Sequence, residues 1–339
     1  MDAPETKLPD GWTTRNPGLD DLPRLLEMRA ADKRPWTGSG RVDEEAVTAE
    51  LVGQKSWTRR QLVAEDAAGQ VRAWATVHDR AAGRTMVHLY VDRSVPDRAE
   101  VAAGLYGWME EQGREIAVRR GLAGTQLDAS PFADDTEQRE WLTTAGYRNM
   151  RTWLQMTRPV TPEEAAAGAL PGPREGVTIR RVATHDNDMP VAEDLQTVHQ
   201  MLEESFEDHF NSYRESFPEF VQRLREDPGH RWDHWWLAYV DVEGEQLPAG
   251  ALVSSVLQAG ESGAEGSYVD YIGVNRRARG RGVAKALLFT VIRDAAERGR
   301  DRVGLEVDAD SPTGADGLYR SLGWETDYAT ESWHKDIDA

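Results

Sequence analysis

Residues 276–285 read RRARGRGVAK, so five cations and two glycines fall within ten positions that contain no acid. Such a run can hold an anion. If a strand ends just before it and a helix begins within it, the unbonded N–H groups and the positive end of the helix dipole both favour phosphate at that point. Gly280 and Gly282 let a ligand approach the backbone without a Cβ in the way, and Arg277, Arg279 and Arg281 can add charge-assisted contacts. The dinucleotide pattern GxGxxG is not met, because Lys285 stands where its third glycine would be. No G-K-[ST] occurs, so the run is not a Walker-type nucleotide loop either. Read alone, it also suits a solvated basic turn, so the elements around it have to decide.

Those elements are legible. Tyr268–Val274 reads as a strand leading into the run. Residues 284–298 then place Leu287, Leu288, Val291, Ile292 and Ala295 on one helical face, with Gly299 as C-cap. Upstream, residues 177–182 read as a short strand and Glu193–Glu204 as a helix. Trp235–Val242 and Ala249–Val256 read as an antiparallel hairpin across an acidic, glycine-containing turn. Val303–Val307 is a further strand, residues 313–321 a helix, and Gly323-Trp324 the turn into a last strand.

The first 160 residues repeat this plan faintly, with a strand at 12–16, a helix from Leu19, a hairpin over 62–77 and a strand at 86–91. WLTTAGY at 141–147 resembles YRSLGW at 319–324, which suggests a duplicated domain. The segment that follows Val91, DRSVPDRAEVAA, has no glycine, so the cationic loop has no copy there. Residues 160–176, with three prolines and three glycines, read as a linker. The expected organisation is therefore a first domain over 1–160, a linker over 161–176 and a second domain over 177–339, each a mixed, mostly antiparallel α/β sheet flanked by helices.

Composition narrows the function classes. The chain has 339 residues and a formal charge of −19, with 40 Lys+Arg against 59 Asp+Glu. A broad surface for nucleic acid or an anionic membrane is not expected from that balance. Zero cysteines remove disulfides, thiolate metal sites and a cysteine nucleophile. No long apolar run and no basic, apolar leader is present, so the expected location is cytoplasmic. The charge is uneven. Residues 1–160 carry −3 and 161–339 carry −16, while 182–275 hold four basic and 19 acidic residues immediately before the cationic run. A cationic patch beside an acidic segment suggests one anionic and one cationic ligand. His230, Asp233 and His234 have spacing near that of metal ligands, but the tryptophans around them favour a packed strand start, and no metal is expected.

The segment Arg279-Gly280-Arg281-Gly282-Val283-Ala284 resembles the acetyl-coenzyme A loop of the GNAT N-acetyltransferases, [RQ]-x-x-G-x-[GA]. A second stretch, 307–324, resembles the N-x-x-A-x-x-L-Y-x-x-x-G-[FY] segment of the same family, with Leu318-Tyr319 and Gly323-Trp324 in register. The order strand, loop, helix and second motif makes the resemblance specific over 177–339, whereas 1–160 follows it in outline only. The tandem arrangement is similar to that of mycothiol synthase and its relatives.

The resemblance implies several roles. Ile272, Gly273 and Val274 would hold the pantetheine arm between two splayed strands and polarise the thioester carbonyl. Amides from Arg279 to Ala284 would bind the pyrophosphate, and Ser311, where the family usually has Asn, would contact the cofactor arm. Tyr319 would protonate the leaving thiolate. Family members often carry a glutamate base six residues before the position of Val274; here that place is Tyr268. Asp270, on the same strand face by period two, is the expected base, with Glu265 or Glu306 behind it. Glu204, Glu207, Asp208 and His209 lie where the family builds its acceptor pocket. Together these imply an acetyl-CoA-dependent N-acetyltransferase with a small, cationic amine as partner, no nucleic acid or membrane partner, and compatibility with a homodimer. The alternative is a non-catalytic acyl-CoA binding module.

Overall fold

The computed structural model describes residues 7–80, 83–206, 215–260, 262–311 and 314–339. In chain order the elements are β1 (Thr13–Arg15), α1 (Leu22–Thr37), α2 (Glu44–Leu51), β2 (Arg59–Glu65), β3 (Val71–Asp79), β4 (Arg84–Val91), α3 (Arg98–Arg119), β5 (Gly124–Ala129), α4 (Thr136–Thr144) and β6 (Arg148–Pro159). They continue with β7 (Val177–Arg181), α5 (Ala192–Ser205), α6 (Phe217–Arg225), β8 (His230–Val242), β9 (Glu245–Leu257), β10 (Gly266–Val274), α7 (Val283–Glu297), β11 (Arg302–Asp308), α8 (Ala315–Ser321) and β12 (Glu325–Asp338). Among the described residues no helix is long and apolar enough to cross a membrane.

The chain forms two compact units. The first contains residues up to Leu154 together with Asp308–Thr313 and Asp327–Ala339; the second contains Gln155–Val307 and Gly314–Thr326. This partition differs from a cut at residue 160, because the first unit takes residues 327–339 of β12 from the far end of the chain and the second begins within β6, at Gln155. In the first unit the strands run β1-β2-β3-β4-β5-β12, antiparallel except for β4 with β5. The C-terminal strand β12 pairs with β5 from Trp333 opposite Ala129 to Asp338 opposite Gly124, and Trp333 and Ile337 enter that unit's core. The second unit runs β6-β11-β10-β9-β8-β7, antiparallel from β7 to β10 and parallel between β10 and β11.

The repeat in the sequence reappears as geometry. Helix α4 ends at Gly146 (φ +86°), with the Tyr147 N–H donating to the Leu142 carbonyl, and α8 ends at Gly323 (φ +94°), with the Trp324 N–H donating to the Tyr319 carbonyl. Both are left-handed glycine C-caps.

The core of the second unit packs α5 and α6 on one sheet face. Leu195, Val198, Met201, Leu202, Phe220 and Leu224 meet Trp235, Leu237, Ala251 and Val253. Helix α7 buries the apolar stripe expected for it, including Leu287, Leu288, Val291, Ile292 and Ala295. The proline-rich stretch read as a linker is tied to this unit. Its Val160 N–H donates to the Asp301 carbonyl at 2.8 Å, Leu170 is buried, and the Leu170 carbonyl accepts from Arg293 of α7.

Candidate active site

The site begins where β10 and β11 part. Their parallel pairing covers only Ser267–Val269 opposite Val303–Leu305. From Asp270 onward β10 keeps its antiparallel partner β9 and leaves its other edge open. The register with β9 shifts between Val269 and Tyr271, so Asp270 is the extra residue of a β-bulge. Beyond the bulge Tyr271, Ile272, Gly273 and Val274 lie opposite Val253, Leu252, Ala251 and Gly250. The Asn275 N–H donates to the Ala249 carbonyl at 2.8 Å, which sets the alternation: Gly273 also turns its peptide groups toward β9, and Ile272 and Val274 turn theirs toward the open wedge. Of the three residues named from the resemblance, Ile272 and Val274 therefore supply the donors and acceptors, and Gly273 supplies clearance. A Cβ on Gly273 would come within 2.8 Å of Ser205 and 3.1 Å of Leu202 at the end of α5.

The loop after β10 folds as a single 3-10 turn, Arg276–Ala278, capped by Asn275, whose side chain accepts from the Arg277 N–H at 2.9 Å. Gly280 (φ +80°) and Gly282 (φ +83°) occupy the left-handed region, and Gly282 is the N-cap of α7. The first intrahelical bond runs from the Ala286 N–H to the Gly282 carbonyl, so the N–H groups of Val283, Ala284 and Lys285 have no carbonyl one turn earlier to bond. Helix α7 comes this close to the sheet because β9 carries Gly250, where a Cβ would meet the Gly273 carbonyl at 2.6 Å and Val283 at 3.3 Å. The Arg281 guanidinium donates to the Asp241 carbonyl at 3.0 Å.

Tyr319 sits on α8, 7% exposed, with its ring edge-on to Trp324 at 6.0 Å. Burial pushes its phenol up to about 12, so it is a proton donor at neutral pH. Asp270 is partly buried, and its carboxyl is pushed up to about 7, first by loss of solvent and then by the nearby Asp227 carboxylate. Ser255 of β9 donates to its Oδ1 at 3.3 Å, and this bond and the Arg223 charge oppose the shift. The period-two argument that put Asp270 on the Tyr268 face fails locally, because the bulge breaks the alternation at this residue. Tyr268 itself faces Gly304, whose missing Cβ would meet the tyrosine ring at 3.1 Å. Glu265 is 58% exposed and 3.8 Å from Arg300, and Glu306 accepts from Gln155 at 3.0 Å.

The remaining sequence-derived residues divide. Glu204 hydrogen-bonds the Asn275 amide and accepts from Gln200 at 2.8 Å, so this carboxylate braces the head of the loop. Glu207, Asp208 and His209 lie outside the described residues. Ser311 belongs to the segment 308–313 of the first unit, where its N–H donates to the Asp308 carbonyl. Asp233 is held by His234 at 2.7 Å and by Arg298 at 2.8 Å. Burial depresses His230 to about 4. Sequence reasoning missed Ser255, Asn275 and Arg174. An Asn opening a basic turn is a legible cap signal, whereas Ser255 reaches Asp270 only through strand pairing.

In the first unit the corresponding place is filled by acids. Asp97 is the N-cap of α3 and accepts from the Trp12 indole at 2.8 Å, while Asp92 pairs with Arg24 at 2.7 Å and Arg72 at 3.0 Å. A carboxylate at the helix N-terminus repels the phosphate that Gly282 and α7 would attract.

The parallel strand pair that parts beside a glycine-turned helix N-terminus makes a cleft with peptide groups along one wall and an anion-attracting helix end at its mouth. Residues 195–324 match the model of the acetyltransferase (GNAT) family. A GCN5-related N-acetyltransferase from Sphaerobacter thermophilus superposes with a TM-score of 0.70 at 25% identity, covering 98% of each chain. A tandem GNAT protein from the clavulanic acid biosynthesis pathway superposes with a TM-score of 0.66 at 14% identity, over 96% of this chain and 98% of that one. A GCN5-related glucosamine N-acetyltransferase region of a fungal multi-domain β-N-acetylglucosaminidase gives 0.66 at 13% identity, over 96% of this chain and 38% of that one. No curated protein matches the chain.

Proposed function

We propose that the chain is an acetyl-CoA-dependent N-acetyltransferase whose second unit acetylates a small, cationic amine by direct attack. The observation that carries the reading is the wedge between β10 and β11, with the peptide groups of Ile272 and Val274 turned into it and the α7 N-terminus at its mouth. The N–H groups of Val283, Ala284 and Lys285 and the cations of the loop bind the diphosphate. Peptide groups of Ile272 and Val274 align the pantetheine arm as an added strand and donate to the thioester oxygen.

Asp270, ionised, accepts a proton from the amine, directly or through a water, as the nitrogen attacks the thioester carbon. Backbone N–H groups stabilise the negative charge that builds on the carbonyl oxygen. Tyr319 gives its proton to the departing sulfur, so an amide and free CoA leave, and solvent returns the proton from Asp270 to Tyr319. The acidic residues of 182–275 favour a cationic acceptor by charge. The first unit, with Asp97 and Asp92 where the loop would be, binds no acetyl-CoA and supports the fold.

Purified protein incubated with acetyl-CoA and a panel of amino sugars, polyamines and amino acids should release free CoA thiol in the presence of at least one of them. Tight acetyl-CoA binding without amine-dependent thiol release would favour a binding module instead.

A further inference from the structure

The segment before β7 delivers one more cation to the loop. Leu170 is buried and its carbonyl accepts from Arg293, while the Gly176 carbonyl accepts from the Asp241 N–H at 2.8 Å, so both flanks are pinned to the second unit. Between them, Pro171 and Pro173 restrict the backbone leading to Arg174. The Arg174 Nη1 donates to the Gly280 carbonyl at 3.2 Å, and its Cδ and Nε lie 3.0 Å from where a Gly282 Cβ would stand. The guanidinium thus crosses both left-handed glycines at the N-terminus of α7.

This placement is electrostatically unfavourable for a cation by itself. The positive end of the helix dipole lies beneath it, and Arg277, Arg279, Arg281 and Lys285 share the same short loop. Among the described residues none of these five cations pairs with a carboxylate, although Arg158, Arg180 and Arg223 of the same unit pair with Glu164, Asp194 and Glu215. In a chain where acids outnumber bases 59 to 40, partners were available in composition. A polyanion set among the five cations removes the repulsion.

We infer that Arg174, from outside the family motif, is a phosphate-binding residue that closes over Gly280 and Gly282 and donates to the diphosphate of the bound acyl-CoA. The inference rests on the acetyl-CoA reading of the loop. A guanidinium contributes two parallel N–H donors to a phosphate, which a lysine cannot reproduce.

The test is calorimetric titration of acetyl-CoA and acetyl-dephospho-CoA into the full chain, wild type and with Arg174→Ala, Arg174→Lys and Arg174→Glu. Arg174 is exposed, so the variants should melt at the wild-type temperature. Arg174→Ala should weaken both ligands about tenfold or more, Arg174→Glu should weaken them further, and Arg174→Lys should recover part of the loss. In turnover with a responsive amine, KM for acetyl-CoA should rise while kcat at saturation stays unchanged. Binding by Arg174→Ala equal to or tighter than wild type would overturn the inference. A loss confined to the ligand bearing the 3′-phosphate would overturn the diphosphate assignment. If the wild-type chain binds neither ligand, the cofactor reading falls and this inference with it; if the wild type binds and Arg174→Ala is indistinguishable, only the role of Arg174 falls.

Discussion

Asp270 and Tyr319 occupy surroundings that favour their neutral forms, and that has opposite consequences for an acid and a base. A phenol pushed to about 12 keeps its proton across the working range, so Tyr319→Phe should lower kcat about a hundredfold and leave KM for acetyl-CoA unchanged. A carboxyl at about 7 is half ionised at neutral pH. Only the ionised form can take the proton of an amine, so kcat/KM for the amine should rise with pH up to about 7 and then level. Asp270→Asn should remove that limb of the profile and cost about two orders of magnitude in rate. A profile that keeps an inflection near 7 in Asp270→Asn would place the base elsewhere. Stability moves in the opposite sense. The folded state retains a proton that the unfolded carboxyl, with its ordinary value near 4, has already lost, so this contribution is full below pH 4 and is lost as pH rises to 7. Chemical denaturation at pH 5 and pH 8 should show wild type losing more stability than Asp270→Asn over that interval.

At the scale of elements, what positions the chemistry is a set of close approaches that only glycine permits. Gly250 lets α7 approach the β9–β10 pair, with the Gly273 carbonyl 2.6 Å and Val283 3.3 Å from its missing Cβ. The nearer of these is backbone, so Gly250→Val cannot be absorbed by a side-chain rotation. It should cost about 1–3 kcal/mol, visible as a lower thermal midpoint, and should weaken acetyl-CoA binding by moving the helix N-terminus. Gly280 has open space around it but a φ of +80°, so Gly280→Ala should cost about 1 kcal/mol in backbone strain without a collision. Comparing the two variants separates crowding from conformation. Gly282→Glu adds a carboxylate at the N-cap and should abolish acetyl-CoA binding while thermal unfolding stays cooperative.

For the whole molecule, the exchange of strand segments has the largest consequence. The first unit is completed by residues 327–339, and the second includes 155–159. A fragment of residues 1–160 lacks the strand that pairs with β5 and loses Trp333 and Ile337 from its core, leaving an unpaired edge. Expressed alone it should be aggregation-prone and show poor amide dispersion by NMR. The same fragment with residues 325–339 joined through a glycine-serine linker should unfold cooperatively. A well-folded 1–160 fragment would show that β12 is dispensable.

The cationic loop, the strand before it, the apolar stripe of α7, the hairpin turn at Gly244 and the repeated segments at 141–147 and 319–324 were legible in the sequence, because each depends on residues close together in the chain: periodicity, charge clustering and short local motifs. The bulge at Asp270, the Ser255 contact, the placement of Arg174 over Gly280 and the exchange of β6 and β12 segments were decided by the tertiary structure. Each depends on which distant segment a strand or loop packs against, and an edge with its pattern of apolar residues accepts more than one partner until the whole core is assembled.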